Sequence, residues 1–319
     1  MVRKSLGRSR PFTPENYCFA AALLDEFLAA GGNCIDTAAV YGFGSSETTL
    51  GRWLNESGRR AEIVLVTKGC HPAFDPQDPF GKPWEPRLTP ETISADLSGS
   101  LERLQTDYVD VYFLHRDDES VPVGPLVEAL NQEQTRGRIR AFGASNWRVE
   151  RIAEANDFAA RQGMTGFVIS SPSLSLARPL AMVYPGAVFA DDATRQWHRT
   201  QQFPMLAWSA LAGGFMSGKF TADDPSNQYV SRVYYSEGNF ERLRRAQELG
   251  RRKNATSVQI GLAYVLQQAF PVIALIGSST VANLRQTLDA LDVDLNAEEM
   301  DYLDLNPQDD VVAQSQGLT

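Results

Sequence analysis

Ile63-Val64-Leu65-Val66-Thr67-Lys68-Gly69, then Thr89-Pro90-Glu91-Thr92 at the head of a helical stretch ending at Leu104, then Val109-Asp110-Val111-Tyr112-Phe113-Leu114-His115-Arg116, is the passage on which the fold turns. Two short, almost uninterrupted apolar runs flank one amphipathic stretch. Runs of that kind suit strands buried on both faces, as in a parallel sheet. Thr89 reads as an N-cap, with proline at the first helical position and an acid in the first turn. The unit is strand, helix, strand, which predicts a crossover between parallel neighbours.

The same alternation extends in both directions. Strands are predicted at Val2–Leu6, Cys34–Asp36, Ile63–Thr67, Val109–Leu114, Ile139–Gly143, Phe167–Ser170, Met205–Trp208 and Val272–Ile276. Helices are predicted at Glu15–Ala30, Ser46–Ser57, Pro90–Leu104, Pro125–Thr135, Val149–Gln162, Ala193–Gln201, Ser257–Ala269 and Val281–Leu291. Eight such units fit a parallel sheet, open or closed, and eight is the count that closes into a filled barrel. The long connections, Cys70–Leu88, Ser171–Asp192 and Ala210–Gly238, all follow a strand (the third, sixth and seventh) and precede a helix. That one-sidedness favours a (β/α)8 TIM barrel, whose βα loops gather at the catalytic face. A doubly wound sheet would open with a G-x-G-x-x-G turn, and Leu6-Gly7-Arg8-Ser9-Arg10 is not one. With no repeat, low-complexity tract or linker, residues 1–319 are expected to form a single domain.

A hydrophobic share of 43% and a charged share of 22% are those of a globular chain. A formal net charge of −9 argues against general nucleic-acid affinity, which needs a basic surface. No window offers the roughly 18 apolar residues of a membrane span. The basic segment Met1 to Arg10 lacks the apolar core of a secretory signal. Cys18, Cys34 and Cys70 are dispersed, with no C-x-x-C, which suits a reducing cytoplasm.

Four ionisable residues fall at or beyond predicted strand ends. Asp36 ends the second strand, with Tyr41 five positions on; Lys68 ends the third and His115 the fourth. Each has an ordinary reading: a turn cap for Asp36, loop packing for Tyr41, a solvated lysine, a satisfied core histidine. Together they suit hydride reduction of a carbonyl, in which charge grows on the oxygen and a proton must arrive there. A phenol is a sluggish acid at neutral pH, and a neighbouring ammonium favours its anion. Asp36 would hold the Lys68 ammonium, Tyr41 would deliver the proton, and His115 would orient the carbonyl oxygen.

Asp36-Thr37-Ala38 with Tyr41, Lys68 and Leu114-His115-Arg116 resemble the Asp-Tyr-Lys-His tetrad of the aldo-keto reductases, and the likeness runs through nearly the whole chain. Gly143-Ala144-Ser145-Asn146 is similar to the end of that family's fifth strand, which implies that Ser145 and Asn146 hold a nicotinamide carboxamide. Ser171 stands where the family offers a glutamine to the same amide. Ala207-Trp208-Ser209-Ala210-Leu211-Ala212-Gly213-Gly214-Phe215 resembles the segment whose aromatic stacks on the nicotinamide, Trp208 here. The loop carrying Ser209, Leu211 and Gly213 then meets the pyrophosphate. Trp208 also has a core reading, but its place just before the Ser209–Gly214 loop favours stacking, and Lys219 is either a solvated charge or a pyrophosphate contact. The resemblance gives Gly277, Ser279 and Asn283 to the adenosine 2′-phosphate.

The pattern departs from the family at both ends. The opening Met1–Gly7 is short and charged, which predicts a poorly covered barrel bottom. Around Ser278, Ser279 and Asn283 the lysines or arginines of NADPH-preferring members are missing, and Arg285 lies nearby. The resemblance implies NADPH as cofactor, with NADH as the alternative, and a small-molecule carbonyl substrate. Aromatics in the three long loops (Phe74, Phe80 and Trp84; Tyr184; Tyr229, Tyr234 and Tyr235) would shape its pocket, beside Leu174 and Met182. His71 is expected on a loop surface, with a place lining the pocket as the alternative, and His198 on a helix surface. No histidine spacing suggests a metal site. A regulatory or redox-sensing cofactor-binding subunit, and a barrel enzyme of another chemistry, are the competing functions.

Overall fold

The computed structural model describes the backbone of residues 2–3 and residues 14–74 and 84–305, the side chains of 14–16 excepted. The remainder of the first expected strand, with the expected gap at the barrel bottom, and Phe80 lie outside the described residues.

Strands form where the apolar runs stand. They are β1 (Val2–Arg3), β2 (Cys34–Asp36), β3 (Val64–Gly69), β4 (Val109–Leu114), β5 (Ile139–Ser145), β6 (Ser170–Ser171), β7 (Met205–Ala207) and β8 (Val272–Ala274). All pair in parallel in sequence order. The seven from β2 to β8 carry the architecture, and the two-residue β1 pairs with β2 at the edge. No ladder joins β8 to β1 among the described residues, so what is seen is a parallel sheet in sequential order, and its closure into a barrel belongs to the proposal below. β6 is shorter than expected and starts later. The Phe167 amide is taken by Asn156 Oδ1 at 2.7 Å, so the chain before Ser170 is held partly by a helix side chain.

The helices are α1 (Pro14–Ala29), α2 (Ser45–Ser57), α3 (Pro90–Leu104), α4 (Val123–Thr135), α5 (Val149–Arg161), α6 (Asp192–Gln201), α7 (Gln228–Tyr234), α8 (Glu237–Lys253), α9 (Ser257–Leu266), α10 (Val281–Leu288) and α11 (Ala297–Asp304). Thr89 caps α3 as expected, accepting from Thr92 N at 3.2 Å. Three helices correct the sequence reading. α7 lies inside the stretch expected to be a loop after the seventh strand, α8 follows it, and α11 comes late in the chain. No described helix is long and apolar enough to cross a membrane.

Register places the site. Lys68 stands opposite Phe113 and Gly69 opposite Leu114, and His115 N donates to Gly69 O at 2.9 Å. On the other side Thr37 N donates to Val66 O and Ala39 N to Lys68 O, at 2.9 and 3.0 Å. The ends of β2, β3 and β4 are thereby level with one another.

Candidate active site

Lys68 Nζ donates to Asp36 Oδ1, in a short contact, and to Thr37 O at 2.9 Å. Both side chains are buried. An ammonium out of water is tolerable only with such acceptors around it. The Tyr41 ring centroid lies 5.2 Å from Lys68 Nζ and 5.7 Å from the His115 ring, the two rings meeting edge to face at 81°. Tyr41 reaches this place through a tight bend. Tyr41 N donates to Ala38 O at 3.0 Å, and Gly42, Phe43 and Gly44 follow with φ of 58°, 53° and 89°. Left-handed backbone is strain-free only for glycine, and at Gly44 a Cβ would also stand 2.8 Å from Arg103 Cδ. The four residues picked from strand ends thus meet in one place.

The opposite wall comes from β5, β6 and β7. Asn146 also has a left-handed φ of 59°, which asparagine bears better than most residues. Its Nδ2 donates to Ser145 Oγ at 2.9 Å and to His115 O at 3.3 Å, and its Oδ1 accepts from Val188 N at 3.2 Å. Ser145 Oγ donates to Ser171 O, and Ser171 Oγ to Leu206 O at 2.8 Å. The donors are therefore spent on the protein, while hydroxyl lone pairs at Ser171 stay available to accept. Tyr41, Lys68, His115, Ser145, Asn146, Ser171 and Trp208 line a single cleft with Arg116, Tyr184 and Leu275.

The other expected residues lie on segments leading out of this cleft rather than in its lining. After Trp208, positive φ at Ser209 (59°), Ala212 (52°), Gly213 (63°) and Gly214 (92°) coils the chain, and Leu211 sits within the coil. Backbone turns of this handedness can present N–H groups to an anion. At Gly213 a Cβ would come 2.8 Å from the Tyr229 ring, so the close approach there requires glycine. Lys219 is exposed, its ammonium 4.9 Å from the Phe220 ring centroid. Gly277 and Ser279 are exposed just beyond Leu275, and Asn283 Nδ2 donates to Ser279 Oγ at 3.0 Å. Arg285 is committed to Glu26 of α1 by two bonds, of 2.6 and 2.8 Å.

Two histidines are not where the sequence reading put them. His71 is buried, not on a loop surface, since the left-handed φ of 57° at Cys70 turns the chain inward. Its ring lies 4.8 Å from Trp84, 4.9 Å from His115 and 5.5 Å from Phe74. Burial first, then the Arg116 charge, push its pKa down to about 4. Nδ1 pairs with Pro72 O at 2.8 Å, which makes Nδ1 the protonated nitrogen of the neutral ring. His198 on α6 is 0% exposed, bonded to Ser170 Oγ at 3.1 Å and Phe203 O at 2.7 Å. Arg116 was visible only as the residue after His115, and Leu275 carried no signal at all. Among the described residues, no group of His, Cys, Asp and Glu stands together as a metal site.

Comparison with known proteins agrees with the geometry. A family model described as the aldo/keto reductase family matches residues 5–305. The chain is 30% identical over 287 residues to the uncharacterized oxidoreductase YrpG of Bacillus subtilis, covering 88% of this chain and 84% of that one. It is 29% identical to the aryl-alcohol dehydrogenase GME11368 of Pestalotiopsis microspora, covering 89% and 71%. A thermostable aldo-keto reductase, Tm1743, solved with the inhibitor epalrestat, superposes with a TM-score of 0.70 at 23% identity, covering 94% of this chain and 92% of that one, a likeness of fold. The chain belongs to the aldo/keto reductase family.

Proposed function

We propose that this protein reduces an aldehyde or ketone to an alcohol, with NADPH as hydride donor, in a single (β/α)8 barrel domain whose long βα loops frame the cleft. The observation that carries the reading is the buried Lys68 ammonium, held by Asp36 and Thr37 O and aimed beneath the Tyr41 ring, with His115 at that ring's edge. Family membership supports the oxidoreductase class, and the aryl-alcohol name of one relative supports an aromatic substrate.

The nicotinamide nucleotide supplies the hydride. Tyr41 gives its phenolic proton to the carbonyl oxygen as that oxygen gains charge. Lys68 stabilises the tyrosinate left behind, and Asp36 keeps the ammonium in position. His115 donates a hydrogen bond that orients the carbonyl and offsets its developing charge. The nucleotide fits the residues present. Ser145, Asn146 and Ser171 offer polar atoms for a carboxamide, and Trp208 offers a ring face in the cleft wall. Ser209, Leu211, Gly213 and Lys219 would hold the pyrophosphate, and Gly277, Ser279 and Asn283 the adenosine end. Phe43, two residues after Tyr41 and 61% exposed, stands 6.1 Å from the Phe74 ring, an aromatic pair that supports a ring-bearing substrate.

The test is isotopic. With NADPH deuterated at the transferred position and benzaldehyde, the benzyl alcohol formed carries one deuterium at the carbinol carbon. Nucleotide binding without any transfer of deuterium to a carbonyl panel would overturn the reading.

A further inference from the structure

This inference rests on reading the cleft as the carbonyl site. In its wall the His115 ring is met edge to face by two others, Tyr41 at 81° and His71 at 76°, with 4.9 Å between the two imidazole centroids. His71 is held in place through its backbone. The Cys70 amide before it donates to Asp96 Oδ2 at 2.8 Å, and Arg87 donates to the His71 carbonyl at 3.2 Å while pairing with Asp96 at 2.9 Å. The His71 ring stands 4.8 Å from Trp84 and 5.5 Å from Phe74, which stack on each other at 5.2 Å. Nδ1 is bound to Pro72 O at 2.8 Å and carries the proton, so the lone pair is on Nε2, at the edge of the ring away from that carbonyl. Among the described residues Nε2 has no hydrogen-bond partner, although His71 is only 9% exposed. With its pKa pushed down to about 4, the ring is neutral at pH 7 and Nε2 stays an acceptor.

A fixed, neutral acceptor in an aromatic corner is matched by one donor hydrogen and no charge. An acceptor that loses water and gains no donor is penalised, so a ligand that supplies the hydrogen is favoured over one that only fills the space. An ammonium would have to be stripped of water to reach it, at far greater cost than a hydroxyl. A hydroxyl borne on an aromatic ring also brings that ring against Trp84 and Phe74. We propose that the cleft selects hydroxyaryl aldehydes and ketones, and that His71 is the specificity-determining residue whose Nε2 accepts from the ring hydroxyl. The carbonyl oxygen then lies at Tyr41 and His115, and the hydroxyl beyond His115 at His71. An ortho hydroxyl bonds its own carbonyl, so the meta compound is the fitting probe.

Two readouts test this, one of them independent of turnover. The first is the ratio of kcat/KM for 3-hydroxybenzaldehyde to that for 3-methylbenzaldehyde, which has the same size and no donor. It is expected to be at least about tenfold in the wild type. It should fall to near unity in His71→Phe, chiefly through KM, and recover in part in His71→Gln, which restores an acceptor. The second is the ring-nitrogen NMR spectrum of the wild-type protein, which has three histidines. The unprotonated Nε2 resonance of His71 is expected to move upfield on titration with phenol and to stay in place with anisole. Equal kcat/KM values in the wild type, a preference kept by His71→Phe, or an Nε2 resonance indifferent to phenol would overturn the proposal. Should His71→Phe fail to fold, the wild-type spectrum decides. A phenol-dependent shift without reduction of any aldehyde would leave the acceptor site standing and sink the proposed reaction, whereas reduction without the shift would do the reverse.

Discussion

At the scale of the residue, the site depends on one buried ion pair. Lys68 and Asp36 are both out of water, and each is tolerable there because of the other. Lys68→Met leaves Asp36 charged and unpaired, and breaking such a pair costs about 3–5 kcal/mol. The variant is expected to lose both turnover and stability, read by NADPH oxidation and by urea unfolding; a native midpoint with native rate would contradict the pairing. His71 makes a second, pH-dependent claim. Its pKa is about 4 in the fold against about 6.5 in the unfolded chain. The unfolded state therefore binds the extra proton first, and stability present above pH 6.5 is lost as pH falls toward 4. By pH 5 the loss from this group is about 2 kcal/mol. His71→Phe should flatten that part of the stability–pH curve, and an identical curve would exclude His71 as its source. Asp36, Tyr41, Lys68 and His115 were legible in the sequence because a strand end fixes where a residue emerges. His71 was read only as a possible pocket residue, because its burial is decided by the turn at Cys70 and by Trp84 returning later in the same loop.

At the scale of the element, the helices next to the site pack without slack. Gly51 of α2 faces the last turn of α3, and a Cβ there would stand 2.2 Å from Arg103 O and 2.7 Å from Leu104 Cα. Backbone cannot yield as a side-chain tip can. Gly51→Ala, which would gain up to about 1 kcal/mol in an unhindered helix, is instead expected to lose about 1–3 kcal/mol through overpacking. A raised urea midpoint would show that the two helices can part at no cost. The same α2 presents Glu47, fully buried, to the Thr67 hydroxyl and to Arg103 at 2.8 Å, bracing the strand that carries Lys68. Helices with clear caps and apolar stripes, such as α3, were readable. α8 was missed although Phe240, Leu243, Ala246 and Leu249 recur at three-residue spacing, because its many charges resemble a solvated loop. Those charges support the helix through pairs such as Glu241 with Arg244 and Arg245. Buried Asn239 and Arg242 tie it to the loop at Arg178 and to Asp304 O.

At the scale of the molecule, the last units return to the first. Arg285 on α10 grips Glu26 on α1, joining segments 259 positions apart. The succession of strands was legible, since short apolar runs mark each of them. The cofactor's adenosine end was not, because the free cation suggested by sequence at Arg285 is already spoken for. Asn283→Arg is therefore expected to tighten NADPH several-fold with little effect on NADH, the gain shrinking as salt is raised. Glu26→Gln should act in the same direction by releasing Arg285. Dissociation constants for both nucleotides, measured side by side, check this, and a wild-type preference for NADPH of about a thousandfold would mean that another cation holds the phosphate.

In the proposed reaction the converging strand ends serve proton delivery to a carbonyl oxygen, with Tyr41 as the group that would carry it. The most direct measurement is single-turnover reduction of benzaldehyde by NADPH-loaded Tyr41→Phe beside the wild type, with nucleotide affinity determined on the same samples. The expected result is a rate lower by at least about a hundredfold, with the nucleotide dissociation constant essentially unchanged. Reduction by Tyr41→Phe at the wild-type rate would contradict it.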